Sequence, residues 1–191
     1  MEKENSGVEE KYLKVVDGLY SNANGYEYRE NEINICDNWN PTADNGKDFG
    51  GFNYTKEEYI LRWLHRGNIL YDVEIPENAE VIVVASATPV YRTNKIIIKN
   101  PREIDDEMAL HFYEISNLTE EAYLQALAVV SVRNYKNTAY KILEEKVNKD
   151  NIDKAIDEWN KFIYHKGKKD RENVNQLVND IFQKLNGIKN I

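Results

Sequence analysis

Apolar and polar positions repeat with two different periods along the chain, and the change falls near Pro101. Before it, short apolar runs are separated by turn residues. YLKVVD (Tyr12–Asp17) predicts a buried or half-buried strand that Gly18 ends. EINI (Glu32–Ile35) alternates and predicts a second strand, and ILYDVEIP (Ile69–Pro76) sets Ile69, Tyr71, Val73 and Ile75 on one side. EVIVVA (Glu80–Ala85) and NKIIIKN (Asn94–Asn100) are apolar more continuously, as strands covered on both faces are. The short connections make the sheet mostly antiparallel. One helix interrupts the strands: Thr55 followed by Glu58 has the form of a capping box, and Ile60, Trp63 and Leu64 share a helical face that ends at Gly67.

Beyond Pro101 the spacing is three and four throughout, which turns one face of each helix toward a core. Asp105 caps a helix with Met108, Phe112 and Ile115, and Thr119–Glu121 opens the next, with Tyr123, Leu127 and Val130 inward. Tyr135, Ala139, Ile142 and Val147 mark a third helix. Ile152, Ile156, Trp159 and Ile163 mark a fourth, and Val174, Leu177, Ile181 and Leu185 a fifth. The fold class is therefore α+β: a small, mostly antiparallel sheet with one helix, followed by an all-helical C-terminal half of about five helices. Residues 1–10 read as a disordered lead-in and 11–104 as a strand-rich α+β domain. Residues 105–191 form a helical domain or a helical extension packed on the sheet. Between the first strands lie the Ser21–Gly25 turn and a long aperiodic loop, Asp37–Gly51, and loops of that length are often functional.

Composition narrows the classes. The single cysteine among 191 residues, Cys36, excludes an internal disulfide framework and fits a reducing compartment. The first ten residues carry four glutamates, unlike a secretory or transit peptide. The longest apolar run, Ala126–Val130, is far short of the ~20 residues of a membrane helix. A cytoplasmic protein with no membrane partner is expected. The net charge of −8 is spread over both halves, and a general nucleic-acid binder needs a basic face. The one basic knuckle, Lys166, Lys168, Lys169 and Arg171, reads as a solvated loop between helices.

Most catalytic signatures are missing from the sequence. His65, His111 and His165 lack partners at metal-ligand spacing. A calcium loop started at Asn40, within the Asp37–Asp48 acidic stretch, places Asn45 and Gly51 where glycine and glutamate are required. There is no nucleophile elbow, and Cys36 at a strand end reads as packing. The glycine-rich phosphate motifs are also lacking. Acidic first turns (Glu57, Glu58; Asp106, Glu107; Glu120, Glu121) would repel phosphate at those helix starts. No metal and no cofactor are expected. What stands out is aromatic and carboxamide side chains with cations nearby: Asn22, Asn24 and Tyr26 on the first turn, Trp39 on the long loop, Asn53 and Tyr54 before the helix, Arg62 and Arg66 on it, and Arg92 beside a strand. Rings stack on planar bases, carboxamides offer paired donors and acceptors, and guanidiniums meet phosphates. The alternative is that tyrosines brace the sheet and asparagines fill turns.

The runs KYLKVVDGL, GGFNYTKEEYILRWL, ILYDVEIPENAEVIVV and VYRTNKIIIKNPREI resemble, in their order, the core of ADP-ribosyltransferase-like folds in small phage and bacterial proteins of unknown function. The resemblance covers about Lys11–Ile104 and rests on segment order. It implies that Lys14 or Asp17 stands at the basic position of the opening strand. Phe52, Tyr54 and Thr55 would lie on the nicotinamide side, and Val90–Lys95 would be the strand of the catalytic glutamate. That strand holds Tyr91, Arg92, Thr93 and Asn94 and no glutamate, so whether the protein is an enzyme stays open, with binding favoured. Three readings follow: a protein that recognises or sequesters a nucleotide, an NAD-derived or ADP-ribose-like ligand; an interaction module for a host or partner protein, which would need Trp159 or Phe162 turned outward; and a transferase-like enzyme or one using carboxylates such as Asp72, Glu74 or Glu80 near Arg92. Fold likeness alone does not choose among them.

Overall fold

A computed structural model describes residues 10–21, 25–46, 48–84, 88–165 and 175–190. The lead-in before Glu10, the turn residues Asn22 and Asn24 and the basic knuckle at 166–171 lie outside the described residues. Seven strands form one sheet: β1 (Tyr12–Val16), β2 (Asn34–Ile35), β3 (Phe52–Lys56), β4 (Ile69–Glu74), β5 (Val81–Val84), β6 (Val90–Thr93) and β7 (Lys95–Glu103). Their order is β2-β7-β4-β1-β3-β6-β5, and every pairing between them is antiparallel. Five α-helices follow among the described residues: α1 (Asp106–Glu114), α2 (Glu120–Val132), α3 (Lys136–Lys146), α4 (Ile152–His165) and α5 (Gln176–Lys189). The chain is thus α+β, with an antiparallel sheet.

The alternation along β1 divides the two faces of the sheet. Leu13 and Val15 join Ile60, Leu61, Leu64, Leu70 and Ile104 in a core shared with the helices. Val16 faces a smaller, aromatic cluster with Tyr28, Phe52, Tyr54, Tyr71, Ile96 and Ile98. The helical layer is closed on itself: Trp159 is fully buried and stacks on Phe182, and Phe162 packs against the same core. The outward-facing Trp159 that the interaction reading needs is therefore not what the fold presents. Asp105 and Thr119 cap α1 and α2 as their positions predict, accepting from the amides of Met108 and Ala122.

The segment around Thr55 departs from expectation. Phe52–Lys56 is a strand, and the Thr55 hydroxyl donates to the carbonyl of Pro89 at 2.7 Å, so Thr55 makes no capping box. The helix after it, Glu57–Arg66, is a 3-10 helix of ten residues that begins at Lys56 without a side-chain cap. Runs of this length are uncommon because the hydrogen-bond geometry is poorer than in an α-helix. At three residues per turn, residues i and i+3 stand one above the other. Leu61 and Leu64 share the buried edge, and Trp63 and Arg66 share another. Arg62 and Arg66, four apart, are therefore on adjacent edges and not on one face as α-helical spacing implies.

Gly67 stops this helix for a steric reason. A β-carbon there would fall onto the main-chain carbonyl of Val16, so the chain can turn from the helix into β4 only where there is no side chain. The approach is fixed by Asn68, whose amide donates to the same carbonyl at 3.1 Å.

Candidate functional site

β1 and β3 pair only at Tyr12↔Lys56 and Leu13↔Thr55. From Lys14 onward β1 keeps its partner β4, while Phe52–Tyr54 of β3 pair with β6. The two strands therefore diverge, and the sheet is split between them. The split opens into a cavity of about 430 Å³ bounded by β1, β3, β6 and the 3-10 helix. That size suits a small ligand.

Among the described residues four cations line this cavity, Lys14, Arg62, Arg66 and Arg92, and no acidic side chain does. In a chain of net charge −8 this is a local reversal of sign. None of the four makes an ion pair among the described residues. Arg92 is held in place by neutral groups: its Nε donates to Asn53 Oδ1 and one terminal nitrogen to the Gly46 carbonyl, both at 2.7 Å. Its guanidinium lies 5.6 Å from the centre of the Phe49 ring. Arg62 and Arg66 flank the Trp63 ring at 5.4 and 5.7 Å. Neither guanidinium has a hydrogen-bond partner among the described residues, although Glu121 and Glu158 act on Arg62 through space. Burial lowers the proton affinity of all three arginines, without removing their charge.

Lys14 is the deepest of the four. It is 8 % exposed and sits in the middle of an otherwise apolar strand. Its ammonium donates to the main-chain carbonyl of Asn53 at 2.5 Å and lies 5.1 Å from the centre of the Tyr28 ring. Burial, followed by the positive charges of Arg66 and Arg92, pushes its pKa down to about 7. A charge taken out of water without a counter-ion is costly, and the usual remedy is a lost proton or a bound anion. A sequence signal for Lys14 existed, a single lysine between Leu13 and Val15. The resemblance places it at the basic position of the opening strand, whereas it belongs to no aromatic or amide cluster in the sequence.

Of the residues singled out from sequence, Asn53, Tyr54, Arg62, Arg66 and Arg92 line the cavity. Tyr54 is buried and stacks on Tyr91 at 5.4 Å, with Tyr12 edge-on at the same distance. Burial pushes the Tyr54 hydroxyl well above its ordinary range, so it stays protonated and can donate. Tyr26 and Trp39 are not lining residues. Tyr26 packs against Tyr28 and Phe52, and the Trp39 ring covers Gly51 while its Nε1 donates to Glu80 at 2.9 Å. Trp39 braces the long loop onto the sheet. Gly51 has φ +76°, and a β-carbon there would stand 2.6 Å from the Trp39 ring.

The other candidates are occupied. Asp72 receives two bonds from Arg102, at 2.6 and 3.1 Å, and one from Asn100, and these hold its carboxyl below the usual range. Glu74 pairs with Lys99 and Glu80 with Trp39, so none of the three carboxylates engages Arg92. The Cys36 thiol accepts from the Gly51 amide and donates to Asn38, each at 2.9 Å, and so closes the base of the long loop. Among the described residues no group of three or more histidine, cysteine or acidic side chains could hold a metal ion, and no helix is long and apolar enough to cross a membrane.

No protein-family model matches the chain, and no curated protein or solved structure is significantly similar to it.

Proposed function

We propose that the protein is a cytoplasmic nucleotide-recognition protein of phage type, which binds an NAD-derived or ADP-ribose-like ligand in the split between β1 and β3. The observation that carries this reading is the lining of the cleft: four cations, no carboxylate, and two guanidiniums with their donors unspent beside an indole ring. A pyrophosphate supplies the missing negative charge, and charge-assisted bonds from arginine are the strong ones. Trp63 and Tyr54 give the ligand's planar or sugar portion an apolar wall. β1, β3 and β6, which the resemblance to ADP-ribosyltransferase-like folds assigns to ligand contact, all border the cleft, and this supports the same reading. β6 carries no glutamate, which favours recognition or sequestration over group transfer.

Calorimetric titration with ADP-ribose, NAD and inorganic pyrophosphate tests the reading. Saturable binding of ADP-ribose or NAD is expected, falling on the order of ten-fold for Arg66→Gln, the loss of one charge-assisted pair. No heat with any of the three, or undiminished binding by an Arg62→Gln/Arg66→Gln double variant, refutes it.

A further inference from the structure

Three of the four cations in the cleft are arginines, which keep their charge, and only the fourth can give up its proton. Lys14 is also the most enclosed, set in the centre of β1 where the sheet splits. Its hydrogen bond among the described residues runs to the carbonyl of Asn53, an acceptor that a neutral amine can still donate to, though more weakly than an ammonium. No carboxylate fixes its charge among the described residues. Burial, followed by the charges of Arg66 and Arg92, favours the amine and brings the pKa down to about 7, so both forms are populated at neutral pH. A lysine desolvated beside other cations is the arrangement in which the amine becomes a nucleophile toward carbonyl carbon.

We propose that Lys14 is a nucleophile that forms an imine with the aldehyde carbon of a phosphorylated sugar held in the cleft. The inference rests on the cleft's reading as an ADP-ribose-type site and adds a covalent step to it. ADP-ribose ends in a ribose whose anomeric carbon is free and opens to an aldehyde, whereas in NAD that carbon is locked in a bond to nitrogen. The Nζ lone pair attacks the aldehyde carbon, and an N–H proton passes to the former carbonyl oxygen to give a carbinolamine. The nitrogen lone pair then forms C=N as the C–O bond breaks, and the remaining N–H proton leaves with the hydroxyl as one water. Nothing is oxidised or reduced, and the arginines hold the phosphates while the step proceeds.

The test is reductive trapping. Protein at pH 7 is mixed with ADP-ribose and sodium cyanoborohydride, which reduces an imine to a stable secondary amine, and the adduct is located by peptide mass spectrometry. Labelling is expected at Lys14 at a rate on the order of a hundred-fold above any surface lysine, whose amine is almost wholly protonated at that pH. Excess pyrophosphate should suppress it, and NAD should give none. Lys14→Arg, which keeps the charge and cannot form the imine, should take no label in β1. Labelling spread evenly over surface lysines, with ADP-ribose still bound by calorimetry, overturns the nucleophile and leaves the recognition site standing. Neither binding nor a Lys14 adduct overturns both. The wild-type peptide map decides the matter even if the variant fails to fold.

Discussion

The ammonium of Lys14 donates to the main-chain carbonyl of Asn53 across the split in the sheet, just past Leu13↔Thr55, the last pair that joins β1 to β3. One side chain thus bridges the point where the backbone ladder gives out, and its protonation is coupled to folding. In the unfolded chain a lysine titrates near 10.4, and in the fold Lys14 titrates at about 7. Between those values the unfolded chain binds one more proton than the folded one, so this residue makes stability rise with pH. The slope is about 1.4 kcal/mol per pH unit, and below pH 7, where both states are protonated, the contribution is flat. Urea denaturation at pH 7 and pH 9 should show the wild type gaining about 2–3 kcal/mol relative to Lys14→Met. Parallel pH profiles for the two proteins would show that Lys14 titrates normally.

Gly67→Ala places a methyl group on the Val16 carbonyl, where main chain and not a flexible side chain must yield. Overpacking of this kind costs about 1–3 kcal/mol where neighbours can move, and the upper end or beyond is expected here. A melting temperature within a degree or two of the wild type would mean that the turn into β4 relaxes easily.

Trp159 is fully buried, and its indole nitrogen has no hydrogen-bond partner among the described residues. Trp159→Ala should cost about 3–5 kcal/mol through lost packing and the cavity left against Phe182. Trp159→Phe removes the orphaned N–H along with some volume, so its cost should be well under half as much. Equal losses in chemical denaturation would point to an acceptor for that nitrogen.

Asp106 acts at a distance from its own helix. Its carboxylate accepts from the amides of Asn137 and Thr138 at 2.7 and 3.1 Å and from the Thr138 hydroxyl at 2.8 Å, capping the start of α3 from α1. Asp106→Ala should destabilise by about 1–2 kcal/mol, in the range of a lost N-cap. Amide exchange should quicken in the first turn of α3, and protection unchanged there would argue that α3 starts without help.

Elements that advertise themselves by period or by capping residue were legible in the sequence. β1, β4 and the helices from Asp105 onward are of this kind, because each buries a face set by its own spacing. β3 was hidden: Phe52–Lys56 follows a run of turn residues and contains Thr55, whose spacing to Glu58 imitates a helix start. The long 3-10 helix was hidden too, since Leu61 and Leu64 fit either helical period. For the cleft, sequence supplied Arg62, Arg66 and Arg92 as cations near rings. Their convergence depends on β1 and β3 parting after a single residue step, a tertiary event with no local signature. The sequence pattern puts Trp63 on a buried helical face and Trp39 among the ligand contacts, yet Trp39 braces a loop and Trp63 lines the cavity.

The ten residues from Glu57 to Arg66 have two faces at work at once. Ile60, Arg62, Trp63 and Arg66 border the cleft, while Leu61 and Leu64, on the same short rod, are fully buried inside the helical layer. That wall of the binding space cannot swing without dragging aliphatic anchors out of their seats. For the proposed ligand, this wall would be a rigid template set by the packing of the helix behind it.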